Sequence, residues 1–173
     1  MQFASPAVGP ELVGVRDALG LLRDCRDRHG LLLREPTCEP RVVLLSESHT
    51  LAPKDDVTLN DLRDEPIAYL NDVSPQELQH WAGADLDGRS WRRGPVVGSV
   101  SELVTEIKLG RSIALVHRPA MPDHSTPGIV ARPVAGLSPS RLELATPAHG
   151  TRPIVTEFAA HLLATARRPA VAA

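Results

Sequence analysis

Aromatic side chains are scarce in this chain. Two Trp, two Phe and one Tyr make up only 3% of the 173 residues, so a core has to be built from Leu, Val, Ala and Ile. Cysteine is almost as rare. Cys25 and Cys38 have neither zinc-ligand nor redox spacing, and reduced thiols are the simplest expectation. No apolar run approaches the ~20 residues that a membrane-spanning helix needs. The opening MQFASPAVGP has no basic region followed by an apolar stretch, so no secretory signal is expected and a cytoplasmic protein with no membrane partner is. Charge of one sign is missing too. With 19 basic and 21 acidic residues and a net charge of −2, the chain lacks a polybasic nucleic-acid surface; the pairs Arg92-Arg93 and Arg167-Arg168 read as solvated surface. Neither an internal repeat nor a phosphate-cradling glycine loop is found. The seven histidines are scattered without HxH or HExxH spacing, so neither a metal nor a cofactor is expected.

What is present is a set of short apolar runs separated by turn chemistry, with 42% apolar residues overall, enough for a true core. The most informative run is Pro95 to His117, PVVGSVSELVTEIKLGRSIALVH. It reads as strand, capped helix, glycine stop and strand. Ser99 and Glu102 fit the capping box S-x-x-E: the hydroxyl would accept the Glu102 N–H, and the carboxylate would reach back to the Ser99 N–H. Val100, Leu103, Val104 and Ile107 form one apolar stripe. Lys108 suits the negative end of the helix, and Gly110 suits a left-handed stop. Ile113 to Val116 reads as a strand covered on both faces. Such a unit points a helix N-terminus out of the carboxyl end of a strand, where open α/β sheets bind small ligands. Ser99 and Ser101 are equally explained as capping residues alone, which is the commoner role.

Elsewhere, Ala18 to Leu22, Arg41 to Ser46, Ile67 to Leu70, Ile129 to Val134 and Arg141 to Thr146 read as strands, and Asp24 to His29 as a charged loop. Thr58, with Asp61 three residues on, predicts a short capped helix through Leu62. Ser74-Pro75-Gln76-Glu77 begins another helix, with Pro in its first turn and Leu78 and Trp81 on one side. Asn71 to Gly94 is polar. A final helix is predicted from Pro153 to Arg167, with Ile154, Val155, Phe158, Ala159, Leu162 and Leu163 on its apolar face. Ser46, Ser48 and His49 lie close in sequence, but no G-x-S-x-G elbow surrounds them. His117, Asp123 and His124 border a proline-rich loop that reads as solvated rather than metal-binding.

In this order the pieces resemble the effector-binding, or substrate-binding, domain of LysR-type transcriptional regulators, from about Leu12 to Ala166. LVGVRDALGLLR resembles one family segment, at Gly14, Asp17 and Leu19-Gly20-Leu21. EPRVVLLSESHTLA resembles a second, at Glu39, Pro40, His49, Leu51 and Ala52, with Thr50 where proline is common. VTLNDLRDEPIAYL resembles a third, at Leu59, Asp61, Leu62, Glu65 and Pro66. GSVSELVTEIKLGRSIALVH resembles the helix–Gly–strand of the family's second lobe, with His117 where many members have proline. PGIVARPVAGL, Pro127 to Leu137, resembles the strand and turn that follow. No single motif is specific; their shared order is.

The resemblance implies an α/β, two-lobed fold like the type 2 periplasmic binding proteins, with lobe one truncated. A disordered lead would span 1–11 and a disordered tail 169–173. Lobe one would hold 12–68 with 140–168, and lobe two 69–139, with Pro66–Leu70 and Leu142–Thr146 crossing between them. A small-molecule effector, a carboxylate among the candidates, would sit between the lobes. On the retained side it would meet Tyr69, Leu70, Asn71, Gly98, Ser99, Val100 and His117. The winged helix-turn-helix of such regulators, and the first strand and helix of lobe one, have no counterpart in the sequence. DNA would therefore be reached only through a domain absent from this chain, and a second copy of the chain is the other candidate partner. The expected function is a non-enzymatic, ligand-sensing regulatory domain. A stand-alone solute-binding protein of the same fold and a non-functional truncated fragment are the alternatives, with an enzyme ranked below both.

Overall fold

The computed structural model describes residues 19–23, 29–71, 73–118 and 126–166. The predicted disordered lead and tail, Cys25, Asp123 and His124 lie outside these residues. The chain divides into two compact units, one of Met1–Cys38 with Ser140–Ala173 and the other of Glu39–Pro139.

In the first unit, strands β1 (Gly20–Arg23), β2 (Leu31–Glu39) and β9 (Ser140–Pro147) form a sheet in the order β1-β9-β2. β9 is the central strand, antiparallel to β1 with Gly20 opposite Ala145. Leu22, Leu144 and Ala145 are buried. β2 has no strand signal in the sequence: its apolar residues fall mainly in LLL, and the consecutive Arg34, Glu35 and Pro36 break any strand-like alternation. Helix α3 (Pro153–Ala166) forms where the apolar stripe predicts it. That stripe is only partly covered, since Ala159 is buried while Ile154 is 61% and Phe158 53% exposed.

The second unit carries both core clusters found among the described residues. Its centre is β3 (Arg41–Ser46), buried at every position. β7 (Ala114–His117) and β8 (Ile129–Ala135) flank β3, both antiparallel to it, and β4 (Val57–Thr58) runs parallel to β8. Side chains alternate across a strand, so Val42 and Leu44 join one cluster while Val43 and Leu45 join the other. That is why the four residues Val42 to Leu45 are all apolar. Because β3 pairs with β7 and β8, residues 39–68 belong with 69–139, and the first boundary falls after Cys38 rather than near residue 68. β5 (Pro66–Leu70), expected to cross between lobes, lies wholly in this unit, parallel to β6 (Arg92–Val97). β6 starts three residues before the predicted strand, inside a segment that reads as polar because Arg92 and Arg93 project outward.

Two helices complete the unit. α2 (Val100–Lys108) buries Leu103 and Ile107 in the cluster with Val97 and Ala114. It ends in a Schellman turn: Gly110, at φ 65°, donates to Ile107 O, and Arg111 N–H reaches Glu106 O. α1 (Pro75–Trp81) carries a full capping box, with Glu77 N–H on Ser74 Oγ and Ser74 N–H on the Glu77 carboxylate. The helix expected after Thr58 does not form. Its reciprocal side-chain bonds are present, Thr58 N–H to Asp61 Oδ2 at 2.9 Å and Asp61 N–H to Thr58 Oγ1 at 3.3 Å. They close the first of a series of four-residue turns, with backbone bonds from Asp61 to Thr58, Arg63 to Asn60 and Glu65 to Leu62, instead. A cap is insufficient there because no run of apolar side chains at helical spacing follows it.

Candidate functional site

The strand–helix–strand unit read from the sequence is β6, α2 and β7, with β5 inserted between the two strands. β5 pairs with β6 on one side, and Ile67 bridges Ile113, the residue before β7, in parallel on the other. Leu70 lies opposite Val97, and Asn71 N–H donates to Val97 O at 3.0 Å. The carboxyl ends of β5 and β6 therefore bring Tyr69, Leu70 and Asn71 beside Gly98, Ser99 and Val100. Asn71, Gly98, Ser99 and Val100 are exposed; Tyr69 and Leu70 are half-buried. His117 ends β7, opposite Arg41 of β3 and half-buried.

Ser99 is the N-cap of α2, accepting the Glu102 N–H at 3.2 Å. The reciprocal bond differs from the expected capping box. The Glu102 carboxylate bonds Gly98 N–H at 2.8 Å, one residue earlier than Ser99. A carboxylate of the chain itself thus occupies one of the anion-binding donors at this helix start. Exposed Val100 at 64% and Val96 at 55% add an apolar surface beside it.

Both tryptophans pack against candidate site residues. Trp91 meets the Tyr69 ring edge-on with centroids 6.0 Å apart and carries the Arg93 guanidinium 5.6 Å from its own ring. Trp81 lies 6.5 Å from the His117 ring and 5.1 Å from His80. Trp81 is visible in the sequence only as an apolar residue of α1. Trp91 carries no sequence signal, since the pairing of β5 with β6 is what brings it near Tyr69.

A buried polar cluster has no local signal in the sequence, because its members lie far apart along the chain. Arg41, at the start of β3, donates to Ser138 O at 2.6 Å, to Ser138 Oγ at 2.7 Å, to the His80 carbonyl and to Asp85 at 3.4 Å. Asp85 Oδ2 accepts from Ser138 Oγ at 2.7 Å and from His80 Nδ1 at 2.9 Å. Burial alone would raise the Asp85 pKa, but the bonds from His80 and Ser138 and the Arg41 charge outweigh it and leave the carboxyl below its usual value. This is no acyl-transfer triad. The Ser138 hydroxyl donates its hydrogen bond to the carboxylate, and His80 uses the ring nitrogen that faces the same oxygen.

The other sequence candidates are not assembled for chemistry. Ser46 and Ser48 bond one another at 3.0 Å, while His49 accepts Leu51 N–H at Nδ1 and sets Nε2 3.3 Å from Glu65. Among the described residues, no group of three or more His, Cys, Asp or Glu could hold a metal ion. No helix among them is long and apolar enough to cross a membrane. A shallow cavity of about 200 Å³ lies in the first unit, lined by Leu32, Arg34, Thr146, Thr151, Thr156 and Ala159 among others; it contains none of the predicted contacts.

Parallel strands whose carboxyl ends present an exposed helix N-terminus have the arrangement at which open α/β sheets bind small ligands, and the fold is of the periplasmic-binding-protein-like α/β class. The LysR substrate binding domain family model matches residues 14–167, and the chain belongs to this family. Solved structures of similar fold include the regulatory domain of Synechocystis CcmR in complex with 2-PG, with TM-score 0.70 and 18% identity over 87% of this chain and 74% of that one. The reduced form of OxyR gives TM-score 0.71 and 19% identity over 89% and 73%. The effector-binding domain of QuiR in complex with shikimate gives 0.70 and 17% over 87% and 72%. At such identities the likeness shows the fold. No curated protein matches the chain.

Proposed function

We propose that this chain is the ligand-sensing part of a transcription regulator and that Tyr69, Leu70, Asn71, Gly98, Ser99, Val100 and His117 contribute its effector contacts. The observation that carries this is the register of β5 on β6, which gathers residues 69–71 and 98–100 at the carboxyl ends of neighbouring parallel strands. The effector class favoured is a small carboxylate with an apolar body. The helix start offers backbone N–H groups, Ser99 a hydroxyl, and Val96 and Val100 apolar surface. Shikimate, the ligand in the QuiR complex, is a small ring carboxylate. The effector acts by shifting a conformational equilibrium rather than by reacting, so the domain is not an enzyme. It works in the cytoplasm, as a homodimer, and DNA is contacted through another domain.

Isothermal calorimetry with shikimate and benzoate as probes tests this. Binding of either that weakens about tenfold or more in Ser99→Ala, the loss of one hydrogen bond to a charged group, supports it. Binding that Ser99→Ala and Asn71→Ala both leave unchanged overturns the site. Tight, sequence-specific DNA binding by this chain alone in a gel-shift assay overturns the division of labour.

A further inference from the structure

We propose that the buried Arg41–His80–Asp85–Ser138 cluster is a coupling anchor that ties both chain passages of the second unit to helix α1 and to the His117 end of β7. The chain passes between units after Cys38 and after Pro139. Arg41 stands two residues beyond the Glu39 start of the second unit, and Ser138 one residue before its Pro139 end. The Arg41 guanidinium bonds both the carbonyl and the hydroxyl of Ser138, at 2.6 and 2.7 Å, so the two passages are held side by side. The same guanidinium bonds the His80 carbonyl in the last turn of α1 and Asp85 just after it.

Two routes then lead to the candidate effector contact. Arg41 is the register partner of His117, and Arg118 N–H donates to Pro40 O at 2.9 Å, so the first passage is bonded directly to the end of β7. His80 stacks edge-on with Trp81, which faces His117.

The physical reason for coupling is burial. The Arg41 side chain has no exposed surface and that of Asp85 only 10%. Loosening one passage alone would strip a buried charge of its partners, so the passages and α1 should open together rather than one at a time. A ligand drawing on His117 therefore acts on the residue whose register partner, Arg41, fixes both passages. The signalling meaning rests on the effector site proposed above; the coupling itself is tested without ligand, so either can fail alone.

The test is amide hydrogen exchange by NMR on the whole chain, comparing the parent with Ser138→Ala and Arg41→Met. Reporter amides are Arg118, bonded to Pro40 O, and Gly83, bonded to His80 O; Leu103 and Asn71, bonded to Ser99 O and Val97 O, are references away from the cluster. Coupling predicts that both reporters exchange about tenfold faster or more in each variant while the references stay within about twofold. Should Arg41→Met fail to fold, Ser138→Ala removes a single hydroxyl and carries the test alone. Acceleration of Gly83 without Arg118, no change in either, or equal acceleration of all four amides would overturn the proposal.

Discussion

The Glu102 carboxylate accepts the Gly98 N–H at 2.8 Å, while the Glu102 N–H is held by Ser99 Oγ. The start of α2 is thus closed on itself by a charge of the same sign as the proposed effector. Replacing Glu102 with Ala should have two opposite effects. The unit should lose about 1 kcal/mol of stability in urea unfolding, from the lost cap and the lost charge at the helix start. Benzoate should bind more tightly than to the parent, seen as a larger Gly98 amide shift at equal concentration. A weaker shift would mean that Glu102 holds the site open rather than competing for it.

The two tryptophans give separate optical reports on the site. Trp81 faces His117 and Trp91 faces Tyr69, so Trp91→Phe leaves a reporter of the β7 end and Trp81→Phe one of the β5 end. A ligand that engages the carboxyl ends of the strands should change emission in both single-tryptophan variants. A change confined to the variant that keeps Trp91 would place the ligand against Tyr69 and remove His117 from the site.

Acid should loosen the second unit through Asp85. Its folded-state pKa is lowered, so its contribution to stability is fully present above the unfolded carboxylate value of about 4 and disappears as pH falls through the folded value. Asp61 behaves alike: its bond from Lys54 and then those from Thr58 pull its pKa to about 2. Asp85→Asn should cost about 1–3 kcal/mol at pH 7, the penalty for weakening buried hydrogen bonds, and should flatten the loss of stability below pH 4. Urea midpoints at pH 7 and pH 3 decide it; a loss between those pH values as steep as the parent's would acquit Asp85.

Gly94 is constrained by space rather than by its backbone angle. A Cβ there would sit 2.8 Å from the Ile67 carbonyl carbon and 2.9 Å from its oxygen, both backbone atoms of the paired strand. Gly94→Ala should therefore push β6 off β5 and cost about 2–3 kcal/mol. Gly88→Ala, at φ 64° but with nothing within 4 Å, should cost only the backbone penalty of about 1 kcal/mol. Equal melting temperatures for the two variants would contradict this account.

Sequence by itself determined the elements whose signals are local. RVVLLS forms β3 over the predicted residues because a buried strand needs only a short apolar run. Ser99 starts α2 and Gly110 stops it because capping bonds span only a few residues. Family membership was legible in the order of several weak motifs. Tertiary structure alone decided what depends on which strand lies beside which. The Leu70–Val97 register assembles residues 69–71 with 98–100, and β3 pairing moves residues 39–68 into the second unit. The capping box at Ser99 shows the limit well: its spacing fixed the helix start, but only the extended backbone before α2 sends Glu102 to Gly98. Arg41 shows it best. A charged residue at the head of an apolar strand reads as surface, and it becomes a buried anchor only because Ser138, His80 and Asp85 arrive from distant parts of the chain to satisfy it.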